Sequence, residues 1–527
     1  MSLVNLYREE ARSFEAQLHP LRQTRAGIID ALNSKRPFDV LIIGGGIHGA
    51  MFARLAALGG LRTALLERSD YAAETSSRSS RMIHGGLRYL ELGDFGQVFE
   101  GLRAREMLLH DAHHLVKPQQ FLLPILPSGG LSRFKAGAGL AFYDLLLHDR
   151  KRRHRWLTAS ELPKELQPLV SRGATGGYCF FDALANDARL VMENILAARQ
   201  EGALCLNHAS VESVRTFEHM PAEIGWLDRL SGKSHELRAG TVINCTGPWV
   251  PYTARLRPSE LRQRVRYSRG VHLIFDFKWE GPALLRPARE KGQHYFIWPH
   301  PLGTMVGPTD DEIDEPQSNP APTQTEIAAL LARVQEDFGA ERFNLSRIRS
   351  AFAGIRTLPV RGSGGRTAEL SRRHLWVHHG GMLNLLGGKL TTSVWTVEQG
   401  YQLMLKLAGR PKSSLTLRNR KLPGSAYYLE AVGQFNTAAL AKGAPAAVIE
   451  AAVARLGSRV RILSELDPEL RTLSGFFSAE LMLSVLEEQA ESWADLMLRR
   501  LQNPLADLEP QALKLLNDLR PEGNWLR

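Results

Sequence analysis

Cysteine is scarce in this chain, and long apolar runs are missing. Cys179, Cys205 and Cys245 lie far apart and make no C-x-x-C pair. Neither a disulfide framework nor a thiolate zinc site is therefore indicated, and no metal is expected. No apolar run reaches the roughly 18 to 20 residues that cross a bilayer, and the polar N-terminus does not read as a secretion signal. The expected location is the cytoplasm. Repeats of fixed period and long low-complexity tails are also missing, which argues against a solenoid.

At 527 residues the chain exceeds what one core serves, so two or three packed domains are expected. Its 44% hydrophobic and 23% charged content suits a soluble globular protein. A net charge of +11 and a pI near 9.6 favour an anionic partner, whether a phosphorylated metabolite, an acidic membrane surface or nucleic acid. No recognised nucleic-acid motif or interleaved aromatic-basic stretch supports the last of these.

Val40-Leu41-Ile42-Ile43 is a short, wholly apolar, β-branched run that suits a parallel strand buried on both faces. It leads into Gly44-Gly45-Gly46-Ile47-His48-Gly49, so G-x-G-x-x-G falls on Gly44, Gly46 and Gly49. One glycine makes the tight turn, the second admits a pyrophosphate to the backbone N–H groups, and the third lets the helix pack on the sheet. Helix formers run from Ala50 to Leu58, Gly59-Gly60 supplies a stop, and Thr63-Ala64-Leu65-Leu66 reads as a second strand ending in Glu67. That glutamate is placed to hold the ribose hydroxyls of an adenine dinucleotide, and its charge disfavours a 2′-phosphate. The loop alone does not choose between FAD and NAD. Thr75 to Ser80 is a hydroxyl-rich run able to donate to a diphosphate or a flavin edge, although such runs also serve as solvated turns and helix caps. No second dinucleotide fingerprint follows, so a bound NAD(P)H is not expected.

Several ordered motifs carry a family resemblance. Glu67-Arg68-x-Asp70, Thr75-Ser76-Ser77 and Ile83-His84-Gly85-Gly86-Leu87-Arg88-Tyr89-Leu90 resemble the FAD-dependent glycerol-3-phosphate dehydrogenases, the respiratory enzymes that feed electrons to quinone. Arg105-Glu106-x-Leu108-Leu109 with His114-Leu115-Val116, then Asp187 to Val191, are similar to the segments that follow in that family. Asn244-Cys245-Thr246-Gly247-Pro248-Trp249, Gly354-Ile355-Arg356 and Gly387-Gly388-Lys389-Leu390-Thr391-Thr392 resemble its later signatures, in family order. The C-terminal stretch from Leu422-Pro423-Gly424 through Arg499-Arg500 resembles its helical terminal domain. Against the family pattern stand His48, Cys245, Pro308, Ser393 and Val394, all near the expected cofactor and substrate.

The resemblance implies an α/β flavin-binding Rossmann-type domain with an interleaved α+β substrate domain and an all-α C-terminal domain. The expected layout is an N-terminal helical extension over 1–36 and an FAD domain over 37–410, with substrate parts near 115–180 and 255–350. A helical domain over 411–527 completes it, and packing or dimer formation is its expected role. FAD is expected to lie against Gly44, Gly45, Gly46, His48, Gly49, Glu67, Arg68, Thr75, Ser76, Ser77, Val211, Thr246, Gly247, Gly388, Lys389, Leu390 and Thr391.

Oxidising a secondary alcohol by flavin requires a base for the hydroxyl proton and a C–H bond held against the hydride acceptor. Histidine suits the base. His272, after Arg269-Gly270-Val271, resembles the family histidine that faces the flavin, with His84 as a second polar contact; the two roles could be exchanged. Taken alone, either would read as a hydrogen-bonded structural residue. Arginine's planar fork suits a phosphate monoester, and Arg88, Arg356 and Lys389 are the expected cations, with Tyr89 donating a phenolic hydrogen bond. Gly387-Gly388-Lys389 is expected to open a helix at Leu390 whose N-terminus steadies reduced flavin. It is not a P-loop, since Leu383 and Leu390 stand where glycine and Ser or Thr are needed.

The resemblance thus implies oxidation of sn-glycerol 3-phosphate to dihydroxyacetone phosphate, with electrons passed to quinone. The rival reading is an oxidase or dehydrogenase of another alcohol, amine or acid that uses oxygen. Leu131, Phe134, Ala138, Phe142 and Leu145 fall on one helical face before Lys151-Arg152-Arg153-His154-Arg155. Such a stripe suits either a helix lying on an anionic membrane or a core-facing helix followed by a solvated charge run.

Overall fold

In the strand Phe38–Ile43, alternate side chains enter two different cores. Val40 and Ile42 join one hydrophobic cluster and Leu41 and Ile43 another, which is why the run contains no polar alternation. Parallel partners flank it, Thr63–Leu66 on one side and Lys233–Asn244 on the other. The sheet runs Leu375–His379, Met382–Leu386, Lys233–Asn244, Phe38–Ile43, Thr63–Leu66, Leu204–Leu206, with Ala209–Phe217 and Met220–Asp228 added as an antiparallel ribbon. Helices Ile47–Leu58, Asp187–Gln200 and Ser393–Leu407 cover one face through Phe52, Leu190, Ile195, Val397 and Tyr401. The carboxyl ends of the parallel strands converge where Gly44 follows Ile43, the edge at which open α/β sheets hold ligands.

The computed structural model describes residues 23–86, 94–127, 132–145, 152–218, 220–255, 258–287, 294–360 and 374–525. Arg88, Tyr89, Leu131 and Lys151 lie outside these residues, as does the N-terminal extension up to residue 22. Of that extension, Arg25–Leu32 is a helix capped by Thr24, and its Ile28 and Leu32 pack into the cluster beneath Phe38.

A second, ten-stranded sheet stands beside the first. Its order is Asp311–Ile313, Val265–Phe275, Gly303–Gly307, His294–His300, Ala283–Pro287, Val116–Ile125, Gly176–Ala185, Met82–Ile83. Ile348–Pro359 also pairs with Val265–Phe275, and Arg155–Thr158 with Gly176–Ala185. Antiparallel pairing dominates; Ala283–Pro287 against Val116–Ile125 is the parallel exception among the described pairs. The chain leaves the first sheet after Leu66, returns at Leu204, leaves again after Asn244 and returns at Leu375, so the two sheets are interleaved in sequence.

Helix Arg133–Leu145 turns Ala136, Leu140 and Tyr143 inward, while Phe134 is 88% exposed and Ala138 also faces solvent. Of the stripe singled out in the sequence, Phe134 and Ala138 thus face outward, while Phe142 is half-buried against Val98, Leu102 and Tyr143. From Tyr428 onward the chain is helical around a core of its own that includes Phe435, Ile449, Leu463, Phe477, Leu481, Met497 and Leu516. Within it, Thr472–Leu473 and Phe476–Phe477 form a two-residue antiparallel ladder.

Candidate active site

The glycine loop works by close approach. A Cβ on Gly49 would fall 1.9 Å from the Gly44 carbonyl oxygen, and one on Gly44, whose φ is +104°, would fall 2.8 Å from that of Cys245. Only bare Cα atoms let the helix Ile47–Leu58 press onto the turn. Its N-cap is Gly46 and no acid occupies its first turn, so the positive end of the helix is turned to the adjoining cavity, which Gly46, Ile47 and His48 line. Ser76 Oγ accepts from Ile47 N at 3.1 Å. Glu67 ends the second strand as anticipated, its carboxylate accepting from Gly45 N at 2.6 Å and Ser69 N at 2.7 Å. Burial pushes its carboxyl pKa up, and those two N–H donors pull it back.

A cavity of about 650 Å³ starts at this loop. Gly44, Gly46, His48, Glu67, Arg68, Thr75, Ser76, Val211, Thr246, Gly247, Gly388, Lys389, Leu390 and Thr391 line it, and His84, His272 and Arg356 lie on the same wall. Gly45, Gly49 and Ser77 do not line it: the first two support the turn from behind, and Ser77 N bonds back to Glu74. Cys245 lines the cavity as a buried thiol whose pKa burial pushes up.

The strand pair Val265–Phe275 and Ile348–Pro359 brings two of the candidate groups, His272 and Arg356, together. Ser268 lies opposite Arg356, Gly270 opposite Gly354 and His272 opposite Phe352, so these residues alternate onto one face. Arg356 Nη1 donates to Ser268 Oγ at 3.1 Å, Asp310 Oδ1 at 3.2 Å and the Thr309 carbonyl at 3.3 Å. His272 stacks on Phe352 at 4.9 Å, and its Nε2 is 2.9 Å from Ser80 Oγ. Burial, reinforced by the Arg356 and Arg81 charges, lowers its pKa to about 3. The ring is therefore neutral at physiological pH. His84 sits on a loop whose Gly85 N donates to Tyr143 Oη at 2.8 Å and to Asp182 Oδ1 at 3.3 Å. Arg105 Nη1 in turn donates to Asp182 at 2.8 Å.

Lys389 Nζ donates to Gln97 Oε1. The helix expected to open at Leu390 begins at Ser393 instead. Gly387 and Gly388 have φ of +73° and +107°, and Ser393 Oγ donates to the Leu390 carbonyl at 2.8 Å, which inserts a turn before the helix. His48 fills the space between the glycine-loop helix and Gly388: a Cβ there would lie 2.6 Å from its Cε1. Its Nε2 is buried without a hydrogen-bond partner among the described residues, and burial lowers its pKa to about 3. Arg68 lies over the Trp249 ring at 4.7 Å.

The partners of the functional groups were not singled out in the sequence. Gln97, Tyr143, Asp182 and Asp310 carry no local signature, whereas Ser80 fell inside the hydroxyl-rich run without its link to His272. The donor set fits FAD: a bare-backbone cradle for a pyrophosphate, Glu67 for ribose, and beyond them a neutral His48 nitrogen with no protein partner.

Comparison with known proteins agrees. The FAD dependent oxidoreductase family model matches residues 39–394. A glycerol-3-phosphate dehydrogenase from Synechocystis sp. is 33% identical over 414 residues, covering 74% of each chain. An alpha-glycerophosphate oxidase from Enterococcus casseliflavus is 35% identical over 341 residues, covering 63% of this chain and 56% of its own length. The structure of glycerol-3-phosphate dehydrogenase from Bacillus halodurans complexed with FAD superposes with a TM-score of 0.71 at 23% identity, covering 90% of this chain and 88% of the other. The fold is therefore the flavin-binding Rossmann type with mixed sheets and a helical C-terminal region, and FAD is its cofactor. The chain belongs to the FAD-dependent oxidoreductases and, within them, to the glycerol-3-phosphate dehydrogenase family.

Proposed function

We propose that this chain oxidises sn-glycerol 3-phosphate at its secondary alcohol to dihydroxyacetone phosphate and passes the electrons to quinone. One observation carries the reading: a guanidinium, Arg356, and a neutral imidazole, His272, share one face of one strand pair at the wall of the cavity. Bound FAD supplies the hydride acceptor. Arg356 receives the phosphate, aided by Lys389 and, from the family resemblance, by Arg88 and Tyr89. His272 takes the hydroxyl proton on its ring nitrogen, and His84 is the second polar contact. The phosphate dianion offsets the Arg356 charge that helps hold His272 down, so substrate binding raises the basicity of the group that must accept the proton.

The cofactor residues divide by the part they would hold. Gly44, Gly45, Gly46 and Gly49 form the pyrophosphate turn; Glu67 and Arg68 serve the adenosine end, and Val211 lies near them. Thr75, Ser76, Thr246 and Gly247 serve the middle, and His48 with Gly388, Lys389, Leu390 and Thr391 the ring.

Docking to an anionic membrane would bring the enzyme to its quinone. The outward Phe134 and Ala138, beside exposed Arg133 and Lys135, support that placement, and no helix among the described residues is long and apolar enough to cross a bilayer. Oxygen as acceptor is the second reading, favoured by the likeness to the enterococcal oxidase.

Anaerobic addition of glycerol 3-phosphate to the flavin-loaded protein should bleach the oxidised flavin band. Absence of bleaching would sink the proposal. Peroxide released in air at the turnover rate would select the oxidase.

A further inference from the structure

The segment from Glu67 to Ala72 is held from two sides. Toward the cavity, Gly45 N donates to Glu67 Oε2 at 2.6 Å and Ala72 N donates to the Gly45 carbonyl at 3.0 Å, so the segment and the glycine loop fix each other. The Tyr71 ring lies directly beneath Gly45, its Cδ1 2.8 Å from where a Cβ would stand.

From behind, the holding groups belong to the far end of the chain. Tyr71 Oη donates to Gln489 Oε1 at 2.8 Å, and Gln489 Nε2 donates to the Cys205 carbonyl at 3.1 Å. Arg500 binds both oxygens of the fully buried Asp70 at 2.8 Å, and Arg499 Nε adds a third bond at 2.5 Å. Asn207 Nδ2 bridges Asp70 and the Gln489 carbonyl, at 2.8 Å each. Gln489 itself has φ of +55°, a conformation its neighbours must enforce. His208 N, Ala209 N and Arg229 hold the carbonyls of Ser69, Glu67 and Arg68, but among the described residues the side chains that grip Asp70 and Tyr71 come, apart from Asn207, from residues 489–500.

We propose that Gln489, Arg499 and Arg500 are positioning residues for FAD: the C-terminal helical region clamps the Glu67–Ala72 segment, so its docking and cofactor binding stabilise one another. Loosening Tyr71 frees the Gly45 peptide, and loosening Asp70 frees the turn that carries Glu67. By linkage, FAD that fixes Glu67 and Gly45 must in return tighten the Gln489 contact. The region thereby has a use beyond packing, although none of its residues lines the cavity. The proposal rests on FAD as the ligand of that cavity. Purified wild-type protein that yields no flavin on denaturation would overturn that cofactor reading instead, before any variant is compared.

The test follows release of flavin from the holoenzyme on dilution, read as rising flavin fluorescence. Q489A and Y71F should each speed release by about tenfold, within the usual range of site-to-site coupling, and the double variant should be no faster than the faster single. KM for glycerol 3-phosphate at saturating FAD should not move. R455A removes a buried pair with Glu480 inside the same region but away from the clamp; it should lower Tm without changing flavin release. Q489A and Y71F releasing flavin at the wild-type rate, or only as fast as R455A, would overturn the proposal. Hydrogen exchange needs no variant: amides of residues 487–501 should exchange more slowly in the holoenzyme than in flavin-stripped protein, and equal rates would also overturn it.

Discussion

The guanidinium of Arg356 lies over the bare Cα of Gly270, with Nη2 2.2 Å from the point a Cβ would occupy. The glycine leaves open the place that the cation fills, and Ser268, Asp310 and the Thr309 carbonyl hold the cation there. G270A should therefore displace Arg356 without touching the flavin cradle. Steady-state kinetics should show KM for glycerol 3-phosphate raised severalfold, with the flavin spectrum unchanged. R356A should raise KM by about tenfold or more, because a charge-assisted phosphate contact is lost. Unchanged KM in both would place the phosphate elsewhere.

His272 is the proposed base, and Ser80 orients it. Removing a positioned general base costs on the order of 10²- to 10⁴-fold in rate. H272A should lose kcat on that scale, measured as the anaerobic flavin reduction rate at saturating substrate, while S80A should lose much less. If H84A loses more than H272A, the two histidines exchange roles.

His48 offers the cavity a neutral, unpartnered nitrogen beside Gly388. Asparagine, which the resemblance gives with threonine as the more usual residue here, keeps a donor but moves it. H48N should shift the flavin reduction potential and the absorption maximum of the holoenzyme while leaving KM for glycerol 3-phosphate nearly unchanged. Identical potentials in potentiometric titration would remove His48 from the flavin's contacts.

Two buried histidines, His114 and His272, and two half-buried ones, His48 and His300, make stability depend on pH. Burial is the first cause of each depression, to about 3 for His48 and His272 and about 2 for His114 and His300. Unfolded, these groups bind protons from about pH 6.5 downward, whereas the folded chain refuses them. Their stabilising contribution is thus complete above pH 6.5 and is lost as pH falls toward 3, by up to about 1.4 kcal/mol per pH unit for each group. His208, raised by its hydrogen bond and charge partner Asp495 against the effect of burial, works in the opposite sense. Thermal unfolding should show Tm falling between pH 7 and 5, and H300N should flatten the slope.

What could be read ahead of the fold was local. Val40 to Ile43 announced a doubly buried strand because its neighbours on both sides are parallel, and the glycines announced the turn because their spacing is itself the geometry. Arg356 and His272 could be nominated from motifs, but their shared face could not, since it depends on register between strands about eighty residues apart. Asp310, Gln97 and Asp182 were silent for the same reason: each acts on a group distant in sequence. The start of the helix at Ser393 was misplaced because two left-handed glycines and a side-chain hydrogen bond delay it. The stripe on Arg133–Leu145 had the right period but no sign of which way it faced.

The interleaving of the two sheets limits how such an enzyme can change its substrate. The connections that carry Thr75 and Ser76, Asp187, and Thr246 and Gly247 are crossings between the sheets, and most of those residues line the cavity. The substrate-facing layer is consequently not a module that recombination could lift out in one piece, because two of its seams, at Thr75–Ser76 and Thr246–Gly247, run along the cavity wall. On the proposed placement of the substrate, new specificity would have to arrive one side chain at a time on the Val265–Phe275 and Ile348–Pro359 face, and residues 268, 270, 272 and 356 would be its compact record.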